Sequence, residues 1–448
     1  MRAFVIVDLG FGDAGKGLLT DYLVRRTGAR MVVRYNGGAQ AGHNVVTPDG
    51  RHHTFAQFGS GTFVPGVRTF LSRDVVVHPT ALLREELALR SAGVTDGFER
   101  LSISADALVI TPYHQALGRM RELARGPAVH GTCGAGVGET VGHDRARLGE
   151  AIRVADLADR PRLCRKLGRI RDYAWSQVSE LNSRFRAHEC GKIEAAVFDR
   201  PDALERWCDE TRRVVPLIGD ENAWVRTTDS AVIFEGAQGV LLDEWHGFHP
   251  YTTWSTCTAA PAVQLLSQFA PDAEVCRIGV LRTYAVRHGA GPLPTETPDI
   301  AAPPEHNTFN AWQGAVRRGW FDGVLARYAA EADGGIDALA ITHLDWLSRI
   351  GTWTYCDSYL PDLRLYSSAV RSLDRQEQMT SLLAKVRPVL RDSPAREEEV
   401  LEMIEHLTGK HVAFGSRGPS AGDVFIRRGN ETVSRYDDAS LAEVNAWL

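Results

Sequence analysis

The sequence predicts an α/β protein: one large domain on a mostly parallel central sheet, with helical insertions. Three observations carry that expectation. Short apolar, β-branched segments recur along the whole chain of 448 residues, at 4–8, 31–35, 69–71, 231–234, 277–281, 338–341 and 412–414, each of a length and composition suited to a buried strand. The first is followed by the glycine-rich stretch 9–17 and then by Leu18, Leu19, Tyr22, Leu23 and Val24 at helical spacing, so the chain opens as strand, loop, helix. Residues 151–214 are charged, rich in Arg and Glu at helix-like intervals, and read as a helical insertion between strand-bearing segments.

Length alone gives room for about three domains, but no Pro/Ser-rich linker or composition shift divides the strands, and a single domain over 1–448 is the expectation. Residues 301–305, with two prolines, are the candidate mobile surface loop. Apolar residues at 44%, charged residues at 24% and a mean hydropathy of −0.20 describe a globular chain and exclude disordered and collagen-like classes. No apolar run reaches membrane-spanning length. A net charge of −5 offers no cationic surplus for a nucleic-acid backbone, so neither nucleic acid nor membrane is the expected partner. The first residues read as a strand rather than a secretory leader, which points to the cytoplasm. Seven cysteines are odd in number, dispersed, and never spaced C-x-x-C; reduced core thiols are expected rather than disulfides or a zinc site.

The chemistry is carried first by Gly10-Phe-Gly-Asp-Ala-Gly15-Lys16-Gly17, which has the G-x-x-x-x-G-K spacing of a phosphate loop and makes the opening P-loop-NTPase-like. Glycines let backbone amides turn toward phosphate oxygens, and Lys16 adds a point charge. Gly17 stands where such a loop usually carries a magnesium-binding hydroxyl, so Asp13 is the expected metal ligand instead. The second strand leads directly into Asn36-Gly-Gly-Ala-Gln40-Ala-Gly42-His43. At the carboxyl end of a parallel sheet this places an imidazole beside the phosphate loop, where it can act as a general acid.

These segments resemble the adenylosuccinate synthetase family, whose motifs read W-G-D-E-G-K-G and G-G-H-N-A-G-H-T. The resemblance continues in order through Gly131-Thr132-Cys133-Gly134-Ala-Gly-Val-Gly138, Phe234-Glu-Gly-Ala-Gln238-Gly-Val-Leu-Leu-Asp243, His246-Gly with Pro250-Tyr-Thr-Thr253, Gly289-Ala-Gly-Pro-Leu-Pro-Thr-Glu296, Gly319-Trp-Phe-Asp322, Thr342-His-Leu-Asp345 and Ser416-Arg-Gly418-Pro419. What it implies is a homodimeric, GTP- and Mg2+-dependent ligase that phosphorylates a purine-nucleotide carbonyl oxygen and displaces the phosphate with an amine. By the same resemblance Asp13 takes the ring proton and, with the Gly42 carbonyl, holds magnesium, while Lys16 and His43 stabilise the reacting groups. Gly12, Gly15, Gly17, Ser416 and Gly418 line the GTP site. Asp345 matches the carboxylate that reads guanine, with His343 in place of the family's Lys. Gln40, Thr132, Cys133, Gln238 and Thr253 match acceptor contacts, and Arg147 matches the arginine that reaches the neighbouring subunit's 5′-phosphate.

Several positions depart from the family. Cys133 replaces a phosphate-contacting Thr, Gln40 an Asn, and Ala14, Ala39 and Ala135 replace Glu, His and Arg. The family's amine-binding T-T-G-R-x-R-R-x-G-W-x-D is here Ala311-Trp-Gln-Gly314-Ala315-Val-Arg317-Arg318-Gly319-Trp-Phe-Asp322. Ungapped, Gly314 and Val316 replace the first two arginines; with one deletion Arg317 is recovered and Ala315 still replaces the first. At least one guanidinium is lost either way. The expectation is a ligase of this type, with room for an altered acceptor or amine. The rivals are an authentic synthetase using IMP and L-aspartate and a GTP-binding protein without ligase activity.

Overall fold

In the computed structural model the described residues are 1–147, 149–179, 188–200, 202–226, 231–300, 309–368, 370–428 and 431–433. The expected loop at 301–305 lies outside them. The central sheet has eleven strands: β1 (Arg2–Asp8), β2 (Met31–Arg34), β3 (Arg68–Leu71), β4 (Leu101–Ser104), β5 (Ile218–Gly219), β6 (Ala231–Glu235), β7 (Glu274–Arg282), β8 (Ala338–Thr342), β9 (Val412–Ser416), β10 (Val424–Arg428) and β11 (Glu431–Val433). Their order across the sheet is β11-β10-β9-β8-β7-β1-β6-β2-β3-β4-β5. All pairs are parallel except β9–β10 and β10–β11. All seven strand segments read from the sequence lie in this sheet.

Burial explains why those segments carried no alternation of apolar and polar residues. Ala3, Val5 and Val7 of β1 pack into one hydrophobic cluster with Val33 and Phe234, while Phe4 and Ile6 pack into another with Val32 and Ile233 on the opposite face. The helical insertion is also observed. Helix Arg160–Val178 starts at Asp159, whose side chain accepts from the Arg162 amide, and buries Leu163, Leu167, Ile170, Ala174 and Val178. These pack with Leu117 and Met120 of helix Pro112–Arg125 in a third core. The cysteines of the described chain are all free. Among the described residues no helix is long and apolar enough to cross a membrane.

Because nine strands run parallel, their last residues come together at one edge. Asp8, Arg34, Glu235, Arg282, Thr342 and Ser416 end β1, β2, β6, β7, β8 and β9 respectively. That edge carries the candidate site.

Candidate active site

The phosphate loop leaves β1 at Asp8 and enters helix α1 (Lys16–Thr27) through Gly15 at φ +105°. Gly12 at +95° and Asp13 at +60° are also left-handed. A Cβ on Gly15 would stand 2.9 Å from Cγ2 of Thr342, whose hydroxyl donates to the Ala14 carbonyl at 2.8 Å and ties the loop to β8. Gly17 has a packing reason too: a Cβ there would lie 3.0 Å from both the Asn44 carbonyl oxygen and the His43 Cβ. The missing hydroxyl therefore reflects the close approach of the His43 segment. Lys16 differs from its expected place, because its ammonium donates to Asp8 Oδ2 at 2.8 Å in a fully buried ion pair.

His43 begins a short strand, His43–Val46, and is 6% exposed. Its Nδ1 lies 2.6 Å from Oε1 of the fully buried Glu235, which also accepts from the amide and hydroxyl of Ser60. Burial lowers the His43 imidazole to about 4 against the opposing pull of Glu235. Burial raises Glu235, but the charges of His43 and Arg34 and the bonds from His43 and Ser60 outweigh it and leave the carboxyl near 2. At neutral pH the pair is a carboxylate accepting Nδ1–H from a neutral ring.

Asp13 Oδ2 lies 2.9 Å from His288 Nε2. Burial raises its carboxyl; the bond and charge of His288, then Arg282 and Lys16, overcome that and hold it below the usual carboxylate value. Arg282 also donates to the Asp13 carbonyl at 2.6 Å. Sequence reading missed Asp8, Glu235, Arg282 and His288. Three of them end strands at the functional edge, a signal the strand assignments already contained; His288, just before the Gly289 turn, gave none.

Asp13, Lys16, Gly42, His43 and His288 line a cavity of about 490 Å³. Its walls also include Gly12, Gln40, Thr132, Cys133, Gln238 and Thr253, so the structure brings the expected catalytic and acceptor residues together, Arg147 apart. Gln238 adopts φ +57°. The buried Oε1 of Gln238 and both amide atoms of Gln40 have no hydrogen-bond partner, a costly state that points to a polar occupant. Burial raises the Cys133 thiol, which stays protonated. Arg147 does not line the cavity: it is half exposed, with its guanidinium 5.1 Å from the ring centre of Tyr173, which does line it, and 3.9 Å from Glu150.

On the other side of the loop, β8 delivers His343 at φ +61° and Asp345 in the first turn of the 3-10 helix Leu344–Arg349. Thr342 spends its hydroxyl proton on Ala14, so its oxygen accepts from His343 Nδ1 at 2.9 Å and leaves Nε2 as an acceptor. β9 places Ser416 and Gly418 next to β8, the Ser416 hydroxyl donating to the Gly418 carbonyl at 2.6 Å.

The segment expected to bind the amine forms a strand, Gly314–Gly319. It pairs antiparallel with Ala285–His288, so Arg318 opposes Val286 and Arg317 opposes Arg287. Gly314, the first residue of that strand, has φ +80°, and Ala315 is exposed. Arg317 is committed to the protein: it pairs with Glu296 and donates to the Gly289 and Gly291 carbonyls at 3.1 and 2.8 Å. Arg318 lies on the other face of the strand, and its buried Nε has no partner. From this segment Gln313 reaches the cavity wall. Its neighbour Trp312 lies over Gly134, where a Cβ would come within 2.6 Å, and over the Arg119 guanidinium at 5.4 Å. Arg119 itself donates to the Gly134 carbonyl and to Glu194, each at 2.9 Å.

A parallel sheet with a phosphate loop, a buried carboxylate–imidazole pair and an acidic loop residue at one edge defines a nucleotide-dependent transfer enzyme. The adenylosuccinate synthetase family profile matches residues 5–425, and the chain belongs to that family of GTP-dependent ligases that form C–N bonds. Adenylosuccinate synthetase of Mycobacterium sp. (strain KMS) is 33% identical over 96% of this chain and 99% of its own length. That of Mycobacterium leprae is 32% identical over 95% and 98%. Among solved structures, fully ligated adenylosuccinate synthetase from Plasmodium falciparum matches with a TM-score of 0.76 at 20% identity, covering 96% of this chain and all of that one. Cyanophage S-2L succinoaminodeoxyadenylate synthetase, bound to dGMP and dATP as energy donor, matches with a TM-score of 0.58 at 19% identity, over 95% of each chain.

Proposed function

We propose that this chain uses GTP to phosphorylate the carbonyl oxygen of an IMP-like purine nucleotide and then replaces the phosphate with an amine, with an amine site altered from that of the family. The observation that carries this reading is one cavity lined by a charged Asp13, a buried His43 held by Glu235, and the phosphate loop. Asp13 accepts the ring proton, which makes the carbonyl oxygen nucleophilic toward the γ-phosphate. His43 has its Nδ1 proton on Glu235, so donation from Nε2 requires a protonated ring; Glu235 and an arriving phosphate both favour that state. Lys16 neutralises charge at the transferred group once it leaves Asp8. The unpartnered amides of Gln40 and Gln238 hold the acceptor, along with Thr132, Cys133 and Thr253.

One carboxylate and one carbonyl, Asp13 and Gly42, suit Mg2+, which takes few protein ligands and completes its shell with substrate phosphates and water, and which there would polarise the phosphoryl oxygens. Among the described residues no cluster of three acidic, His or Cys side chains offers a fuller metal site. Asp345 is assigned to the guanine edge, with His343, Ser416 and Gly418 beside it. Arg147 is assigned to the phosphate held by a second copy, which makes the working unit a homodimer.

The amine side supports the altered reading over an authentic synthetase. One expected guanidinium is absent and Arg317 is tied to Glu296, so a dicarboxylate meets fewer cations than the family pattern supplies. Retention of both Asp13 and His43 argues against a GTP-binding protein without chemistry. The test is phosphate release and product mass with GTP and IMP, GMP or their deoxy forms against a panel of amino acids. No turnover with any pair refutes the ligase reading; efficient turnover only with IMP and L-aspartate restores the ordinary synthetase.

A further inference from the structure

We propose that Asp8 is the positioning residue of the phosphate loop: its carboxylate fills the loop's own anion nest and holds Asp13 and Lys16 in place before nucleotide arrives. The inference deepens the ligase reading and rests on it for what the loop does.

Asp8 is the last residue of β1 and is 1% exposed. Its Oδ1 accepts from the amides of Gly10 at 2.9 Å and Gly12 at 3.3 Å. Its Oδ2 accepts from the amide of Ala14 at 2.9 Å and from Lys16 Nζ at 2.8 Å. A carboxylate offers about four lone-pair sites, so these four donors saturate it. Successive amides that turn inward through left-handed residues form a concavity that binds an anion. In nucleotide loops of this spacing the anion is phosphate, whereas here the first half of the nest is filled by the protein itself.

Two consequences follow for the reacting groups. Gly12 and Ala14 flank Asp13, and Asp13 sits at φ +60°, a conformation unfavourable for a residue with a Cβ. The Gly12 amide lies in the peptide plane before that residue and the Ala14 amide in the plane just after Asp13, so bonds from both to one rigid carboxylate pin the backbone on either side of Asp13 and hold its side chain toward His288 and the cavity. The Lys16 ammonium is neutralised and parked, and only a group of higher negative charge can draw it off. The backbone amides left for phosphate are those of the first turn of α1, which have no partner within the helix. Asp8 itself touches no substrate in this scheme; it acts through Asp13 and Lys16.

The experiment uses the full chain as Asp8→Asn and Asp8→Glu, with kcat and KM for GTP measured on whichever acceptor and amine support turnover. GTP affinity is read by calorimetry and amide hydrogen exchange on the unmodified, nucleotide-free protein. In Asp8→Asn the side-chain NH2 faces two donors, the Ala14 amide and Lys16, so kcat is expected to fall by about tenfold or more while GTP affinity changes by less than about threefold. Asp8→Glu keeps the charge but moves both oxygens by a methylene, and is expected to lose kcat as well. The amides of Gly10, Gly12 and Ala14 are expected to exchange at least about a hundredfold slower than free amides without any nucleotide present.

Wild-type kcat in Asp8→Asn overturns the proposal, and so does a loss confined to GTP affinity, which would make Asp8 a binding residue. Full turnover in Asp8→Glu overturns the positional argument in favour of charge alone. If neither variant folds, the exchange measurement decides, and rapid exchange at the three amides sinks the idea. If the unmodified protein turns over with no acceptor and amine, the ligase reading fails, while exchange still reports on Asp8.

Discussion

Replacing Gly17 with Ser gives the phosphate loop the hydroxyl that loops of its spacing usually carry, and the structure predicts that this harms the enzyme. Gly17 lies in the first turn of α1 with no positive φ, so a Cβ meets no backbone strain. The obstacle is room: the added carbon would lie 3.0 Å from the Asn44 carbonyl oxygen, 3.0 Å from the His43 Cβ and 3.1 Å from the Ser60 Oγ. Overpacking of this kind costs about 1–3 kcal/mol, and exchanging Gly for Ala in a helix returns about 1 kcal/mol. Gly17→Ala is therefore expected to lose no more than about 2 kcal/mol of stability. Catalysis has no such offset. Two of the three crowded groups belong to the His43–Glu235–Ser60 cluster, and the short strand bearing His43 must give way by a few tenths of an ångström. A misplacement approaching 1 Å can cost about a hundredfold in rate, so kcat is expected to fall by about 10- to 100-fold in both Gly17→Ala and Gly17→Ser, with KM for GTP less affected. Urea unfolding and steady-state kinetics measure the two effects separately. Undiminished kcat in Gly17→Ala would refute the reasoning, since it would mean that the close approach does not position His43.

Asp13→Asn is expected to abolish turnover with the fold intact by circular dichroism, because an amide cannot take the ring proton; near wild-type activity would remove Asp13 from the mechanism. GTP is expected to support turnover far better than ATP, and Asp345→Ala to narrow that gap mainly by harming GTP; equal use of both by the unmodified enzyme would show that His343 has relaxed base choice. L-Aspartate is expected to saturate poorly and to improve in Ala315→Arg, read from saturation curves with IMP and GTP; saturation at low concentration in the unmodified enzyme argues against an altered amine site. Asp322, which caps helix Gly323–Asp333 and does not line the cavity, provides a stability test. Burial raises its carboxyl to about 6, against the bonds from the Leu325 amide and the Tyr359 hydroxyl. A folded-state value above the unfolded one means that stability is complete below about pH 4 and is lost as pH rises through 6. That loss amounts to about 3 kcal/mol. Asp322→Asn is expected to remove this slope and to stabilise the protein at pH 8 relative to pH 5 in urea unfolding; an unchanged slope would assign it to another group.

The sheet was legible because each long-buried strand is a run of β-branched residues between turn signals, and burial on both faces leaves nothing else for such a run to do. The two-residue β5 and the three-residue β11, at the two ends of the sheet, were not legible because strands this short carry no periodicity; β4 and the antiparallel β10, each mixing apolar with polar or charged residues, were not read either. In the site, glycines announced the loops, and Asp13, Gly42 and His43 stand where those loops put them. What sequence could not convey was pairing across distance. Glu235 meets His43 only because β6 lies beside β2, and His288, which meets Asp13, stands on a short strand that pairs with the segment 314–319 rather than with the central sheet. Lys16 was assigned to phosphate by its motif, but its resting partner is an aspartate eight residues earlier. Arg317 was read as a free cation because charge is visible in a sequence and its consumption by Glu296 is not.

The contact at Arg119 bears on how this molecule can evolve. One guanidinium touches three pieces that are far apart in the chain: Glu194 in helix Glu189–Asp199 of the insertion, the Gly134 carbonyl in the loop proposed to hold the acceptor, and the Trp312 ring beside the strand Gly314–Gly319. A change at Glu194 removes one of the groups that hold Arg119, and with it part of the seat of Trp312. Substitutions at Glu194, Gly134 and Trp312 share one partner and are expected to be non-additive. A descendant that recruits a new amine can reshape Trp312 only in company with Arg119, and the insertion becomes a constraint on substrate range.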